Sequence, residues 1–191
     1  MKVNYPTPQI NKKITKPQTH GMLFENALNE TNLYYLHKNK AVIYKKPTPI
    51  QVVKVHYPER SKAKIVEAYY KMPSTTDYNG IYRGRYIDYE AKETNNLSFS
   101  FKHIFLHQIE HLRKIDEHGG IAFIIIYFKK VHEVYLLDIK QFYELYQLSN
   151  EGGHKSITIE QFKTLGKQVK IGYCPTIDYL QAIDELYFHK K

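Results

Sequence analysis

The segment "STTDYNGIYRGRYIDYEAKET", residues 74–94, contains the strand on which the predicted fold depends. In "YIDYEAK" every second side chain is charged, and side chains alternate along a strand, so Asp88, Glu90 and Lys92 share one face. The residues between them are apolar or aromatic and are expected to face a core. An Asn-Gly pair at 79 and 80 is typical of a tight hairpin turn. The segment therefore predicts a turn followed by a strand with one functional face.

Helical and strand patterns alternate along the rest of the chain. Apolar side chains recur at helical spacing from 21 to about 36. Four further helices are expected: "FKHIFLHQIEHLRKID" with a stripe of Phe105, Ile109 and Leu112, a helix around 141–148, one opened by Thr158 with Gln161 as a capping box, and one at about 177–187. Strands are expected at "AVIYKK", "IQVVKVHY", "AKIVEAYY", "IAFIIIYF" and "VHEVYLLDI".

The apolar run "IAFIIIYF" suits a strand that is buried on both faces. Helices before, between and after the strands would then cover both sides of one sheet. The sequence predicts an α/β sandwich in which the acidic strand is central.

The charge of the chain favours a polyanionic partner. Its 191 residues carry a formal net charge of +9, and lysines and arginines that neutralise phosphates release counterions. This length fits one domain, which we place at 21–191. Residues 1–20 hold lysines and prolines without an acid, so we expect a disordered basic arm there.

Neither a membrane segment nor a secretory signal is evident in the sequence. No stretch reaches about 18 apolar residues, and the first twenty residues lack an apolar core. The single cysteine, Cys174, forms no internal disulfide and suits a reducing compartment. We expect a cytoplasmic protein without membrane contact.

A basic arm is predicted between the first helix and the acidic strand. Eight basic residues lie from Lys38 to Lys64, and the one acid among them is Glu59. Two strands around the Pro-rich "PTP" could form a hairpin that enters a gap in a nucleic acid. The alternative is a hairpin with a solvated basic face.

The acidic strand suggests phosphodiester chemistry. Asp77 and Glu90 are hard carboxylate ligands of the kind that Mg²⁺ prefers, and such an ion polarises a phosphoryl oxygen. Lys92 would stabilise the charged transition state. Glu25, Glu67 and Asp88 rank as supporting acids. By spacing alone, surface ion pairs between strands are an equally good explanation.

Two other functions compete with this interpretation. "HQIEH" resembles an inverted zinc-peptidase motif with His107, Glu110 and His111, although its third ligand would have to come from elsewhere, with Asp138 and Glu144 as candidates. A non-catalytic DNA-binding protein would also be basic and rich in tyrosines that stack on bases.

Several segments of the sequence, in their order along the chain, resemble the RecU family of Holliday junction resolvases. The resemblance runs from about 21 to 184 and rests on "GMLFENALNETNLYYL", "AVIYKKPTPIQVVKVHYP", "PSTTDYNGIYRGRYIDYEAKET", "HQIEHL", "GGIAFIII", "VYLLDI", "GGHKSIT" and "IDYL". It implies a restriction-endonuclease-like, PD-(D/E)xK core with a mixed central sheet flanked by helices, and a homodimer that nicks four-way junctions in pairs with Mg²⁺, for which Mn²⁺ can substitute.

The resemblance also implies roles for particular residues. The metal site would be built by Thr75, Asp77, Glu90 and Gln108, with Lys92 as the transition-state stabiliser. A protruding β-stalk at about 44–64 would place its tip in the open centre of the junction. Phosphate contacts are then expected from Lys45, Lys46, Lys54, Arg60, Lys62 and Lys64.

The chain departs from the family pattern at two positions. His20 and His154 stand where relatives usually carry arginine, and each change removes a permanent cation and its bidentate contact with phosphate. We therefore expect DNA affinity to depend more on the stalk lysines. A RecA-type recombinase is a further partner that the resemblance suggests.

Overall fold

A seven-stranded sheet forms the centre of the protein. The computed structural model describes residues 21–71 and 75–188, so the predicted arm at 1–20, including His20, lies outside the described residues. The strands are β1 (Val42–Lys45), β2 (Ile50–His56), β3 (Lys64–Tyr70), β4 (Tyr78–Tyr82), β5 (Arg85–Thr94), β6 (Ser98–Ser100), β7 (Ile121–Phe128), β8 (Glu133–Asp138), β9 (Ser156–Thr158), β10 (Lys167–Ile171) and β11 (Ile177–Asp178).

Five α-helices accompany these strands in the described residues. They are α1 (Gly21–His37), α2 (Leu106–Glu117), α3 (Ile139–Asn150), α4 (Ile159–Leu165) and α5 (Tyr179–Ile183). Short 3₁₀ turns occur at Arg60–Lys62 and Phe101–His103, and a π-helical turn at Asp184–Phe188 continues α5. None of the described helices is long and apolar enough to cross a membrane.

The sheet is mixed and has the strand order β1-β4-β5-β7-β8-β10-β11. β5 and β7 run parallel and are joined through α2, whereas the other neighbours in the sheet are antiparallel. One face packs against α1 and α5 and the other against α2, α3 and α4. This α/β architecture, with the acidic strand β5 in the interior of the sheet, confirms the fold class predicted from the sequence.

The turn before the acidic strand lies later in the chain than predicted. Asn79 and Gly80 belong to β4, and the reversal occurs at Arg83 and Gly84, whose φ angles of 47° and 74° are left-handed. Gly80 is needed for a different reason, since a Cβ atom there would lie 2.0 Å from the carbonyl oxygen of Val42 on the neighbouring strand. A glycine that permits close strand contact thus resembles a turn signal in the sequence.

The projecting hairpin also differs from the prediction. β1 pairs with β4 in the central sheet, and the hairpin consists of β2 paired with β3. We call residues 50–70 the ribbon; all residues of its two strands are exposed. The "PTP" segment therefore lies at the root of the ribbon, and its tip is at 57–63, which shifts the stalk from the predicted 44–64.

Two predicted helices also have different bounds. Phe105 precedes α2 and is 63% exposed, while Ile109 and Leu112 of the predicted stripe are buried. Ile177 belongs to the short strand β11, so the last helix begins at Tyr179 rather than at 177. The other two hold: α3 covers 141–148, and the Thr158 hydroxyl accepts from the Gln161 N–H at 3.3 Å to cap α4.

Replacement of Gly80 tests the close contact between β1 and β4. Gly80→Ala places a methyl group against backbone atoms that cannot rotate away, so we expect a loss of about 2–4 kcal/mol in the free energy of unfolding. Thermal unfolding followed by circular dichroism measures it. Gly84→Asn is the control, because no heavy atom lies within 4 Å of a Cβ there and Asn tolerates the left-handed backbone. Equal melting temperatures for Gly80→Ala and Gly84→Asn would contradict the close backbone contact between β1 and β4 at Gly80.

Candidate active site

Glu90 is a fully buried acid whose hydrogen bonding is incomplete. It lies on β5, where Ala91 and Tyr89 point to the opposite face. Its Oε1 atom is 2.5 Å from the Lys92 ammonium and accepts from the Gln108 amide nitrogen at 2.7 Å. Its Oε2 atom is buried and has no hydrogen-bond partner within the described residues. Since buried polar atoms are almost always paired, this oxygen marks a position for a ligand.

Asp77 lies next to Glu90 in the loop before β4. The pairing of Tyr78 with Tyr89 brings this loop alongside β5. The Asp77 Oδ2 atom accepts from the backbone N–H of Ala91 at 3.1 Å, which places the carboxylate between the positions of Glu90 and Lys92 along the strand. The structure therefore brings together the three residues that the sequence assigned to catalysis.

The pKa of Glu90 reflects this crowding. Burial first, and then the negative charge of Asp77, raise the pKa from the ordinary 4.5 to about 7, although Lys92 and the Gln108 hydrogen bond act in the opposite direction. Two neighbouring carboxylates, one of them desolvated, are stabilised by a divalent cation between them. The residues thus fit a bound Mg²⁺, with waters and substrate oxygens as the remaining ligands.

The two other predicted metal ligands occupy different positions. Gln108 directs its amide nitrogen to Glu90, and its amide oxygen accepts from the backbone N–H of Phe105 at 3.1 Å. Thr75 is exposed, and its hydroxyl accepts from the Lys46 ammonium at 3.2 Å. Gln108 therefore orients Glu90 in this arrangement, and Thr75 belongs to the same loop as Asp77.

A cleft reaches the site. Its volume is about 390 Å³, and its lining residues are Phe24, Glu25, Asp77, Tyr78, Ala91, Lys92, Glu93 and His103. Asp77 and the partly exposed Lys92 therefore face the cleft, whereas Glu90 is buried and is not among its lining residues. A phosphate that entered the cleft would meet Lys92 and Asp77, and Glu90 would act on it through a shared metal ion.

Asp88 is a second buried acid on the same face of β5, and the sequence does not predict its hydrogen-bond partners. It binds the Thr76 hydroxyl and lies 2.8 Å from the Lys46 ammonium, 3.1 Å from the Tyr86 hydroxyl and 3.1 Å from Nε2 of His111. The alternation of β5 predicted its face, but nothing local in the sequence indicates these partners.

The predicted DNA-contacting residues separate into two groups. Lys54, Lys62 and Lys64 are exposed on the ribbon, and Arg60 lies in its tip. Lys45 is half-exposed and pairs with Glu25 at 2.5 Å. Lys46 is only 14% exposed, and its ammonium is directed toward the buried Asp88 and away from solvent.

The zinc motif on α2 does not converge on a metal site. His111 contacts Asp88, Glu110 contacts Arg113 at 3.3 Å, and the His107 ring stacks on Phe105. Over 21–71 and 75–188, no group of three His, Cys, Asp or Glu side chains is placed to hold a metal ion. The histidines instead support the helix and the acidic strand.

These features define a candidate metal-dependent active site on an α/β fold. A family model described as "Recombination protein U" (RecU) matches residues 19–185. Holliday junction resolvase RecU of Bacillus cereus (strain G9842) is 49% identical over 199 residues, covering 98% of this chain and 100% of that protein. The protein of that name from Bacillus thuringiensis (strain Al Hakam) is 47% identical with the same coverage.

The chain therefore belongs to the RecU family, as its resemblance implied. A similar solved structure is Hjc, a Holliday junction resolvase of Archaeoglobus fulgidus, at 14% identity and a TM-score of 0.45, covering 75% of this chain and 93% of that one.

The raised pKa of Glu90 predicts how the stability of the metal-free protein depends on pH. Because the folded pKa of Glu90 exceeds the unfolded value, the folded state binds more protons, and stability falls as pH rises from about 4.5 through about 7. Glu90→Gln removes this loss, so at pH 8 in chelator we expect the variant to be more stable by roughly 2–3 kcal/mol, and near-equal stabilities at pH 5.

Thermal melts at both pH values provide the measurement, and Glu160→Gln, at an exposed position on α4, is the matched control. Mg²⁺ should raise the melting temperature of the wild type at pH 8 and leave Glu90→Gln unchanged. A stability difference that does not vary with pH would count against the burial of an incompletely paired Glu90.

Proposed function

We propose that this chain is a Mg²⁺-dependent, structure-selective endonuclease that resolves Holliday junctions in recombination and repair. The observation that carries the proposal is the buried, unpartnered Oε2 atom of Glu90 beside Asp77 and Lys92. Membership of the RecU family and the names of the relatives support the same substrate. A protein that acts on chromosomal junctions in this way would work in the cytoplasm.

Asp77 and Glu90 would hold the metal, and Mn²⁺ would substitute for Mg²⁺ because both accept oxygen ligands. When bound, such an ion polarises a phosphoryl oxygen and lowers the pKa of water. Gln108 keeps Glu90 in position by donating to its Oε1 atom, and the N–H of Ala91 fixes the Asp77 carboxylate. Thr75 would support the loop of Asp77.

Lys92 supplies the positive charge for the reacting phosphate. Its side chain lines the cleft and is 28% exposed, whereas the glutamate that it contacts is buried. An ammonium that is mostly withdrawn from solvent stabilises the extra negative charge of a pentavalent phosphate more strongly than it would in water.

The ribbon is the best candidate for the junction-binding surface. It carries Lys54, Lys62 and Lys64 on exposed strands or at the tip, and Arg60 is in the tip turn. Exposed aromatic rings lie on the same ribbon, with Tyr57 at 62% exposure at the tip and Tyr70 at 84% at the root, and can stack on unpaired bases. Together with Lys45 they would contact phosphates and bases at the open centre of a four-way junction.

A homodimer would explain the apolar character of the ribbon. A two-stranded hairpin is marginally stable on its own, yet Val53, Val55 and Ile65 are each about half-exposed in this chain. A second copy that covers part of the ribbon would bury these side chains and set two active sites on opposed strands. A RecA-type recombinase stays a predicted partner.

Cleavage of a synthetic four-way junction tests the proposed reaction. With Mg²⁺, the wild type should nick opposed strands of the junction and spare a linear duplex. Asp77→Asn and Glu90→Gln should bind the junction but cut it at least about 100-fold more slowly, because each removes one carboxylate of the metal site. Glu160→Gln should cut normally. Binding without cleavage by the wild type in both Mg²⁺ and Mn²⁺ would leave a DNA-binding protein without this activity.

The exposed lysines of the ribbon should make the affinity for the junction depend on salt concentration. Lys54→Gln should weaken junction binding and lower the slope of log affinity against log salt by about 1, without changing which strand is cut. Fluorescence anisotropy over a salt series measures this slope. Lys163→Gln, which alters an exposed ion pair on α4, should leave it unchanged. An identical slope for Lys54→Gln would remove the ribbon from the proposed interface.

A further inference from the structure

One lysine outside the predicted catalytic set holds the loop that carries Asp77. Lys46 follows the last residue of β1, and its backbone N–H donates to the carbonyl oxygen of Asp77 at 2.8 Å. Its ammonium donates to the hydroxyls of Thr75 and Thr76. A single residue therefore contacts three consecutive residues of the loop.

The same ammonium forms an ion pair with a buried acid. It lies 2.8 Å from Oδ2 of Asp88, which is fully buried, while the lysine side chain is 14% exposed. The Thr76 hydroxyl donates to the other oxygen of Asp88. Asp88 is two residues from Glu90 on β5, so the pair connects the loop of Asp77 to the strand of Glu90.

The loop is positioned by individual hydrogen bonds and an ion pair, not by regular strand pairing. Residues 75–77 form neither helix nor strand, and regular pairing with β5 begins at Tyr78. The contacts with Lys46 and Asp88 therefore contribute to the position of the backbone on this side of Asp77, while the N–H of Ala91 holds the carboxylate itself. A carboxylate that must share a small ion with Glu90 tolerates only a small displacement, because Mg²⁺ requires near-ideal octahedral geometry.

We infer that Lys46 is a positioning residue that sets the place of Asp77 relative to Glu90. It does so through the Thr75 and Thr76 hydroxyls and through its ion pair with Asp88. The inference rests on the proposed metal-dependent function, and it assigns to Lys46 a different role from the phosphate contacts of the ribbon lysines.

A positioning role for Lys46 and a purely electrostatic effect of its charge predict opposite changes in the affinity of the site for a metal ion. Removing a cation near a metal site should strengthen the binding of a second cation, since the repulsion between them is lost. Removing the residue that positions Asp77 should weaken it, because the two carboxylates no longer match one ion. The affinity for the metal in the absence of DNA therefore distinguishes the two effects.

The experiment compares Mn²⁺ binding by calorimetry in the full-length wild type, Lys46→Met and Lys163→Met. We expect Lys46→Met to bind Mn²⁺ at least about 5-fold more weakly, and Lys163→Met, which loses the same charge from an exposed pair with Glu160, to bind like the wild type. Junction cleavage by Lys46→Met should fall and should recover partly at high Mg²⁺. Its junction affinity and salt slope should not change.

A second variant separates positioning from folding. Lys46→Met alone leaves Asp88 buried without its cation, which is destabilising, so Lys46→Met/Asp88→Asn removes both charges. We expect this double variant to regain melting temperature while Mn²⁺ affinity and cleavage stay low, because the threonine hydroxyls still lack the ammonium. Recovery of Mn²⁺ affinity together with stability would overturn the inference.

Other outcomes would also decide whether Lys46 positions Asp77. Unchanged or tighter Mn²⁺ binding by Lys46→Met would contradict a positioning role, and a reduced salt slope would make Lys46 a phosphate contact. Wild type that binds Mn²⁺ but leaves the junction intact would overturn the proposed function, while the Mn²⁺ affinities of the variants would still decide the role of Lys46.

Discussion

The full burial of the Glu90 carboxylate, whose Oε2 atom has no hydrogen-bond partner in the described residues, is the constraint around which the site is arranged. Glu90 is in the interior of a seven-stranded sheet, covered by α2 on its own face. Desolvation of a charge at this place is costly, and the surrounding residues offset only part of the cost. Lys92 and Gln108 satisfy one oxygen, and the other remains open beside Asp77. A protein selected for stability alone would not keep such a group.

A comparison of the two buried acids on β5 supports this interpretation. Asp88 and Glu90 are both fully buried on the same face, two residues apart. Asp88 is satisfied by partners from four segments of the chain, including a full ion pair. Glu90 has partners for one oxygen only within the described residues. The first acid therefore stabilises the frame of the site, and the second is left to bind what the chain itself does not provide.

The sequence predicted the features that depend on local periodicity. The alternation along β5 placed Asp88, Glu90 and Lys92 on one face, and the apolar run of β7 identified a strand buried on both faces. Features that depend on distant contacts were not accessible in this way. β1 has the local character of a hairpin strand, and its pairing with β4 follows from burying Ile43 against the core. Likewise, Gly80 resembles a turn residue until the neighbouring strand is in place.

Lys46 shows the same limit within the site. In the sequence it is one of several lysines in a basic segment, and nothing nearby separates it from Lys45. Only the folded chain places it against Asp88 and the loop of Asp77, whereas Lys45 points to Glu25. The charge of the segment therefore predicts a nucleic-acid surface in general but could not predict which cations the interior requires.

The most direct test of the metal site is anomalous diffraction from crystals that contain Mn²⁺. A metal ion held by both acids should give an anomalous peak at about 2.0–2.3 Å from the Oε2 atom of Glu90 and from a carboxylate oxygen of Asp77. Absence of a peak between these two side chains, or a peak at the histidines of α2 in its place, would contradict this metal site.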